Sequence, residues 1–407
     1  MTTVDEPTTR ARTGFRPDAA TLSYYLIGTA TLLLLAIGVV MVLSASSITS
    51  IRETGNPYGQ FLNQAQFALI GVPLMIVASR VPVAWYRRLA WPALGLGLFL
   101  QALIFSPLGT GEKGNTNWVT IPGLGQTVQP SEFLKLALAL WLGLVLARKG
   151  RLLQQWQHVA IPGLVVAVLA IGLVLGGRDV GTALVVVALV AGGLFFAGVP
   201  LRWFAGAGVA AAGVLAFLVI DSPNRMQRVL AVFGGECDAS AACYQSKHGL
   251  YGLGTGGLSG VGLGASRQKW SYLPEAHNDY ILAIIGEELG LWGTLLVLGL
   301  FAALAFGLLR VVRRHPDPFV RIATGAITAW ILTQAIINIG VVVGLLPVIG
   351  VPLPLVSAGG SALIATLLAM GVVLAFARSE PGAAQALQAR RGTVRRSLAV
   401  VARGRRG

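Results

Sequence analysis

The chain has 407 residues, of which 55% are hydrophobic and 12% charged, with a mean hydropathy of +0.73. A soluble domain carries roughly 25% charged residues, so the composition is that of a polytopic membrane protein. The net charge of +15 does not mark a nucleic-acid binder: the basic residues sit at the ends of apolar runs and in the C-terminal tail, with no basic stripe interleaved with aromatics.

In chain order, residues 1–20 form a polar arm carrying Arg10, Arg12 and Arg16. The apolar run that follows is too long for the core of a cleavable signal peptide. Ten apolar runs then recur, at 22–46, 62–80, 89–106, 131–148, 158–176, 180–198, 202–220, 279–310, 318–343 and 357–378. A helix crosses a bilayer in about 20 residues. The pattern predicts an all-α polytopic membrane protein with ten transmembrane helices spanning 21–378. A large extracytoplasmic loop, 221–278, is expected between helices 7 and 8, followed at the chain end by a basic tail, 379–407. The eighth run exceeds one crossing and is expected to start outside the hydrocarbon core or to tilt. With both termini in the cytoplasm, most lysines and arginines fall on the inner side, as the positive-inside rule requires.

The loop at 107–130 leads into QPSEFLKL. Pro130 suits a first helical turn, Glu132 lies near the positive end of the helix dipole, and Lys135 follows on the same face. The pair reads either as a cap with a local ion pair or as charge facing a cavity in the bundle. Asp179, in GGRDVGTA, reads either as a helix cap or as a polar group at the mouth of the bundle.

The large loop holds the only cysteines, Cys237 and Cys243. In an oxidising space they are expected to pair, and a zinc site would need more ligands. The run YGLGTGGLSGVGLGASRQKW, 251–270, is Gly-rich, with Lys247, Arg267 and Lys269 around it. It lacks the P-loop signature and reads as a linker or as backbone able to approach phosphate.

Then comes KWSYLPEAHNDYILAIIGEELGLWG, 269–293, where a polar loop turns into an apolar helix. It carries Lys269, Glu275, His277 and Asp279, then Glu287 and Glu288. Ionisable groups at membrane depth are costly and point to function, so Asp279 is read as a reactive carboxylate. The segment 337–364 places Asn338 in an apolar helix, breaks regularity at Pro347, Pro352 and Pro354, and restarts with Ser357, Gly359, Gly360 and Ser361. It reads as a lid, the wall of a lipid groove, or a tight connection. No HExxH, GxSxG or CxxC motif is present. No organic cofactor is expected, while carboxylates remain able to hold Mg²⁺ or Mn²⁺ against a phosphate.

These segments together resemble the SEDS family of peptidoglycan polymerases, the FtsW/RodA group: VMVLSASS (40–47), NTNWV with QPSEFLKL, DVGTA (179–183), the run 256–293, and NIGVVVGLLPVIGVPLPLVSAGGSAL (338–363). SASS, GASRQKWSYLPEAH and VSAGGSAL are more similar to the septal, FtsW-type branch than to the elongation branch. The resemblance implies a glycosyltransferase that polymerises lipid II, an undecaprenyl-pyrophosphate-linked disaccharide pentapeptide, into β-1,4 glycan at the division septum. Its essential carboxylate maps to Asp279. The family pattern His-Thr-Asp-Phe reads His277-Asn278-Asp279-Tyr280 here, and Ala358 stands where an aromatic is common.

Glu132, Lys135 and Asp179 are then expected to line an outward-facing cavity. Lys269, Arg267, Glu275, His277, Ser357 and Ser361 are expected to contact substrate. A class B penicillin-binding protein is the implied partner, with other divisome membrane proteins. Gly340, Gly344 and Ala365 offer small-residue surfaces for its single helix. A lipid II flippase and an elongation polymerase are the rival readings. Clustering of Asp279, Glu132 and Lys269 on the outer face favours the enzyme.

Overall fold

The computed structural model describes residues 21–387 apart from 113–114, 124–125, 234–240 and 271. The helices are α1 (Leu22–Thr54), α2 (Gly59–Ala78), α3 (Val83–Ala102), α4 (Pro130–Lys149), a short α5 (Trp156–Val159), α6 (Val165–Gly176), α7 (Val180–Phe196), α8 (Leu201–Ile220), α9 (Pro223–Phe233), α10 (Ala241–Gly256), α11 (Ile281–Arg314), α12 (Pro318–Val342) and α13 (Gly360–Arg378). Among the described residues, nine helical segments are long and apolar enough to cross a membrane. The remaining expected crossing is α7, whose 17 residues rise about 25 Å at 1.5 Å per residue, short of a hydrocarbon core of about 30 Å.

The expectation of a purely helical chain needs one correction. Part of the 107–130 loop folds as a three-stranded antiparallel sheet, β1 (Gly109–Glu112), β2 (Asn115–Thr120) and β3 (Thr127–Val128). Its Thr-rich, Val- and Trp-containing stretch favours extended backbone, and the ladder satisfies groups that no helix takes up. The large loop is also structured, holding α9 and α10.

The centre of the bundle is α4, buried almost continuously from Pro130 to Leu146, with α12 packed against α4, α7 and α11. Lipid tails are as apolar as leucine, so tight packing holds the helices together. Glycines allow it: a Cβ on Gly192 of α7 would lie 2.3 Å from Ala329, and one on Gly325 of α12 would lie 2.2 Å from the Phe196 ring. α8 contrasts with these helices, having no buried residue. Two of the small residues expected to receive a partner helix are used internally instead. Ala365 is fully buried, and Leu346 packs over Gly340.

The over-long eighth run is two helices joined by a kink at Gly290, which has φ 68° and ψ −161°. The backbone groups freed there are met by the Gly-rich run. Val261 and Gly262 N–H donate to the carbonyls of Glu287 and Glu288 at 2.9 and 3.1 Å, and Leu291 N–H donates to Gly257 O at 2.9 Å. The run therefore neither cradles a phosphate with these N–H groups nor acts as a linker; it is the complement of a broken helix. Close approach dictates its glycines, since a Cβ on Gly260 would sit 2.2 Å from Glu288 O, whereas Gly257 has open space.

Both Gly260 and Gly257 have positive φ, 79° and 53°. Gly257→Ala should therefore lose only the strain of a left-handed alanine, roughly 1–2 kcal/mol. Gly260→Ala adds a collision with backbone and should lower the melting temperature in detergent clearly further. Equal losses would show that the two segments are not packed this way.

Candidate active site

Asp279 ends a tight turn one residue before Tyr280, the N-cap of α11. Glu275 adopts a left-handed conformation with φ 55°. Its carbonyl accepts from Asn278 and Tyr280 N–H at 3.0 and 3.3 Å, and its carboxylate accepts from Asn278 Nδ2 at 2.6 Å.

Three successive carbonyls of this turn are then fastened from outside. Ala358 N–H donates to His277 O at 2.9 Å. Ser357 Oγ donates to Asn278 O at 2.6 Å, and Asn338 Nδ2 donates to Asp279 O at 2.9 Å. Gln64 of α2 holds the fastener itself, donating to Ser357 O and accepting from Gly359 N–H, both at 3.2 Å. The Asp279 side chain is half-buried and lies against Gly350, where a Cβ would come 3.8 Å from Oδ2.

Glu132 and Lys135 form a buried ion pair at 2.7 Å, with Lys135 1% exposed. Lys135 Nζ also donates to Gln334 Oε1 at 3.3 Å and stands 4.7 Å from the centre of the Trp330 ring. Glu132 Oε2 is buried with no hydrogen-bond partner among the described residues. Asp179 caps α7, accepting from Thr182 N–H at 2.8 Å and Thr182 Oγ1 at 2.7 Å. It also accepts from Gln129 Nε2 at 3.1 Å, while Gln129 N–H donates to Ser361 Oγ at 3.2 Å. Asp179 is thus a helix cap that also ties α7 to the start of α4.

Lys269 lies in a second buried pair, with its Nζ 3.2 Å from Glu288 Oε1 and donating to Gly264 O at 2.6 Å. Glu288 also accepts from Ser44 Oγ of α1 at 2.7 Å. The neighbouring Glu287 collects the loop before it, accepting from Arg267 and Gln268 N–H at 3.0 and 3.3 Å and from the Ser266 hydroxyl. These acids hold the strand of chain that leads to Asp279.

Arg267 is exposed. Arg228 of α9 donates to Val348 O at 3.2 Å, two residues from Gly350. Arg228 is thereby tied to the segment that the Asp279 carboxylate lies against.

Sequence reading named most of these residues but assigned several a different partner. The hydroxyls of Ser357 and Ser361 are engaged by protein, Ser357 with Leu353 N–H and Asn278 O. Gln64, Gln334, Arg228 and Ser44 were missed. The legible signal for Gln334 was an amide four residues before Asn338 in an apolar helix. Ser44 lies in the VMVLSASS segment, marked by resemblance alone, and nothing local marked Gln64 or Arg228. Cys243 is buried; its expected partner, Cys237, lies outside the described residues.

The family model for the cell cycle protein family FtsW/RodA/SpoVE matches residues 24–381. A protein of Mycobacterium tuberculosis described as "probable peptidoglycan glycosyltransferase FtsW" is 38% identical over 370 residues, covering 91% of this chain and 70% of the relative. One of Marinobacter nauticus with the same description is 41% identical over 350 residues, covering 84% and 86%. Among solved structures, a chain from a study of the structural coordination of polymerization and crosslinking by a peptidoglycan synthase complex superposes with TM-score 0.70. It is 26% identical and the match covers 87% of this chain and 97% of that one. The rod shape-determining protein RodA of Thermus thermophilus superposes with TM-score 0.65, at 26% identity and coverage of 88% and 97%.

Removing one partner of a buried ion pair strands the other charge, typically a loss of about 3–5 kcal/mol. Glu288→Gln should therefore lower the melting temperature strongly, and adding Lys269→Met should recover part of the loss. A single variant as stable as the parent would mean that Lys269 is not held by Glu288.

Proposed function

The chain belongs to the FtsW/RodA/SpoVE family and is a peptidoglycan glycosyltransferase, and from that premise we propose that it polymerises lipid II with Asp279 as general base. The observation that carries this reading is the half-buried Asp279 carboxylate on a turn whose three carbonyls are fastened by α12 and the 357–358 segment. Such fastening holds a reacting group in place before substrate arrives.

Lipid II carries its sugar α-linked to a diphosphate, and a β-1,4 product requires inversion at the anomeric carbon. The acceptor 4-hydroxyl attacks that carbon, its proton passes to the Asp279 carboxylate, and the bond to the diphosphate oxygen breaks. A well-placed base contributes about 10²- to 10⁴-fold. One carboxylate suffices, because no water is activated and the diphosphate leaves without a strong acid; the two-carboxylate distance rule of hydrolases does not transfer.

The departing negative charge calls for cations. Lys135 and Lys269 are already matched by Glu132 and Glu288. That favours Arg228, beside the Gly350 segment, and the exposed Arg267 for this role. Among the described residues no three or more metal-ligating side chains gather, so a protein cage does not fit. A single carboxylate would hold Mg²⁺ or Mn²⁺ against a phosphate, and the ion when bound would offset leaving-group charge.

In the proposed orientation the loops around 107–130 and 221–278 face outside and both termini face the cytoplasm. The FtsW description of the relatives supports septal use. A class B penicillin-binding protein is the proposed partner, cross-linking the new glycan and raising turnover by a population shift.

In a polymerisation assay of purified protein on lipid II, Asp279→Asn should abolish product while the protein still inserts and folds. Near-parental polymer from that variant would remove the base assignment. A chelator arm should slow turnover if a divalent ion participates. Turnover unchanged by saturating partner would eliminate activation.

Cys237 and Cys243 are read as a disulfide. Non-reduced peptide mass spectrometry should recover them linked, and two free thiols would refute the pairing.

A further inference from the structure

Two side-chain amides, one helical turn apart on α12, span the distance between Asp279 and Lys135. Asn338 is 1% exposed. Its Nδ2 donates to Asp279 O and to Val351 O, each at 2.9 Å. Gln334 donates through Nε2 to the next carbonyl, Pro352 O, at 3.1 Å. Its Oε1 accepts from Lys135 Nζ at 3.3 Å and from Trp330 Nε1 at 2.9 Å.

Residues four apart share a helix face. Consecutive carbonyls of one irregular segment, at 351 and 352, are therefore hooked by two successive rungs. The far side of one rung grips the turn of Asp279. The far side of the other grips the Glu132–Lys135 pair. Irregular backbone buried in protein, as at Val351 and Leu353, needs such donors. Asn338 Oδ1, however, is buried with no hydrogen-bond partner among the described residues. Leaving an acceptor unsatisfied is unfavourable by about 1–3 kcal/mol, so the favourable contribution of Asn338 comes from its two N–H donors.

We propose that Gln334 and Asn338 act as one positioning pair. Through the shared Val351–Pro352 segment they set the placement of Asp279 relative to the Lys135–Glu132 pair. Neither is a catalytic residue. The inference rests on the reading of Asp279 as general base. A misplacement of about 1 Å in such a site lowers turnover by about 10²-fold.

The test uses the full-length protein in proteoliposomes, with kcat and KM measured on lipid II for Asn338→Leu, Gln334→Met and the double variant. These near-isosteric changes keep the packing volume and remove the hydrogen bonds. Melting temperature and lipid II binding are measured alongside, and turnover is normalised to folded protein. Each single variant should lose about 10- to 100-fold in kcat with KM unchanged within about twofold. The double variant should fall little below the worse single one, because both act through one segment. Parental kcat per folded molecule, or losses that simply add, would overturn the pair. An active Asp279→Asn would remove the base reading by itself. Parental activity in the Gln334 and Asn338 variants beside a silent Asp279→Asn would remove the positioning pair alone.

Discussion

Inside a bilayer an unpaired N–H or C=O has no water to turn to, so backbone may leave helical geometry only where protein groups take up what is released. The whole site is arranged around that constraint. The helix breaks at Gly290 and the chain runs irregularly from Val343 to Gly359. Each break exposes backbone polar groups, and a specific donor or acceptor meets many of them: the Gly256–Gly262 run at the kink, and Asn338, Gln334, Ser357 and Gln64 around the irregular segment. Several polar residues that look like substrate ligands, Asp179, Lys269, Ser357 and Ser361, also bond the protein's own backbone.

Charge follows the same logic at higher stakes. A buried ion is tolerated when paired and further hydrogen-bonded, and both buried lysines near the site meet this condition. Lys135 has Glu132, Gln334 and the Trp330 face; Lys269 has Glu288, Ser44 and Gly264 O. These pairs stiffen the approach to the site and are poorly placed to yield their charge to a ligand. The Asp279 turn is gripped through its own carbonyls by Ala358, Ser357 and Asn338, and its half-buried carboxylate lies against the Gly350 segment.

Comparing individual stretches shows where reading the chain succeeds. The apolar runs map onto helices because a length of about 20 apolar residues has few other stable outcomes in lipid. Pro130 at the first turn of α4, Glu132 behind it and Lys135 three residues on were legible for a local reason, the i,i+3 geometry of one helix. The Gly-rich run was misjudged because its partner, the kink at Gly290, lies some thirty residues away. Glycine tells that something approaches closely, and not what approaches. Ala365 failed as a partner surface for the same reason: which face of an apolar helix is inward depends on its neighbours.

By itself the sequence determined a polytopic helical membrane protein and the polar segments that interrupt its apolar runs, Asp279 at one such junction, since hydropathy, helix caps and a charge beside an apolar run are local and act through neighbours in the chain. Only the tertiary structure decided which polar residues hold one another. Glu288 with Ser44, Asn338 with Asp279 and Gln334 with Pro352 are hydrogen bonds made across helices. Their partners are set by helix packing, and in lipid that packing comes from the fit of small and large side chains over the whole bundle, which no single stretch of sequence contains.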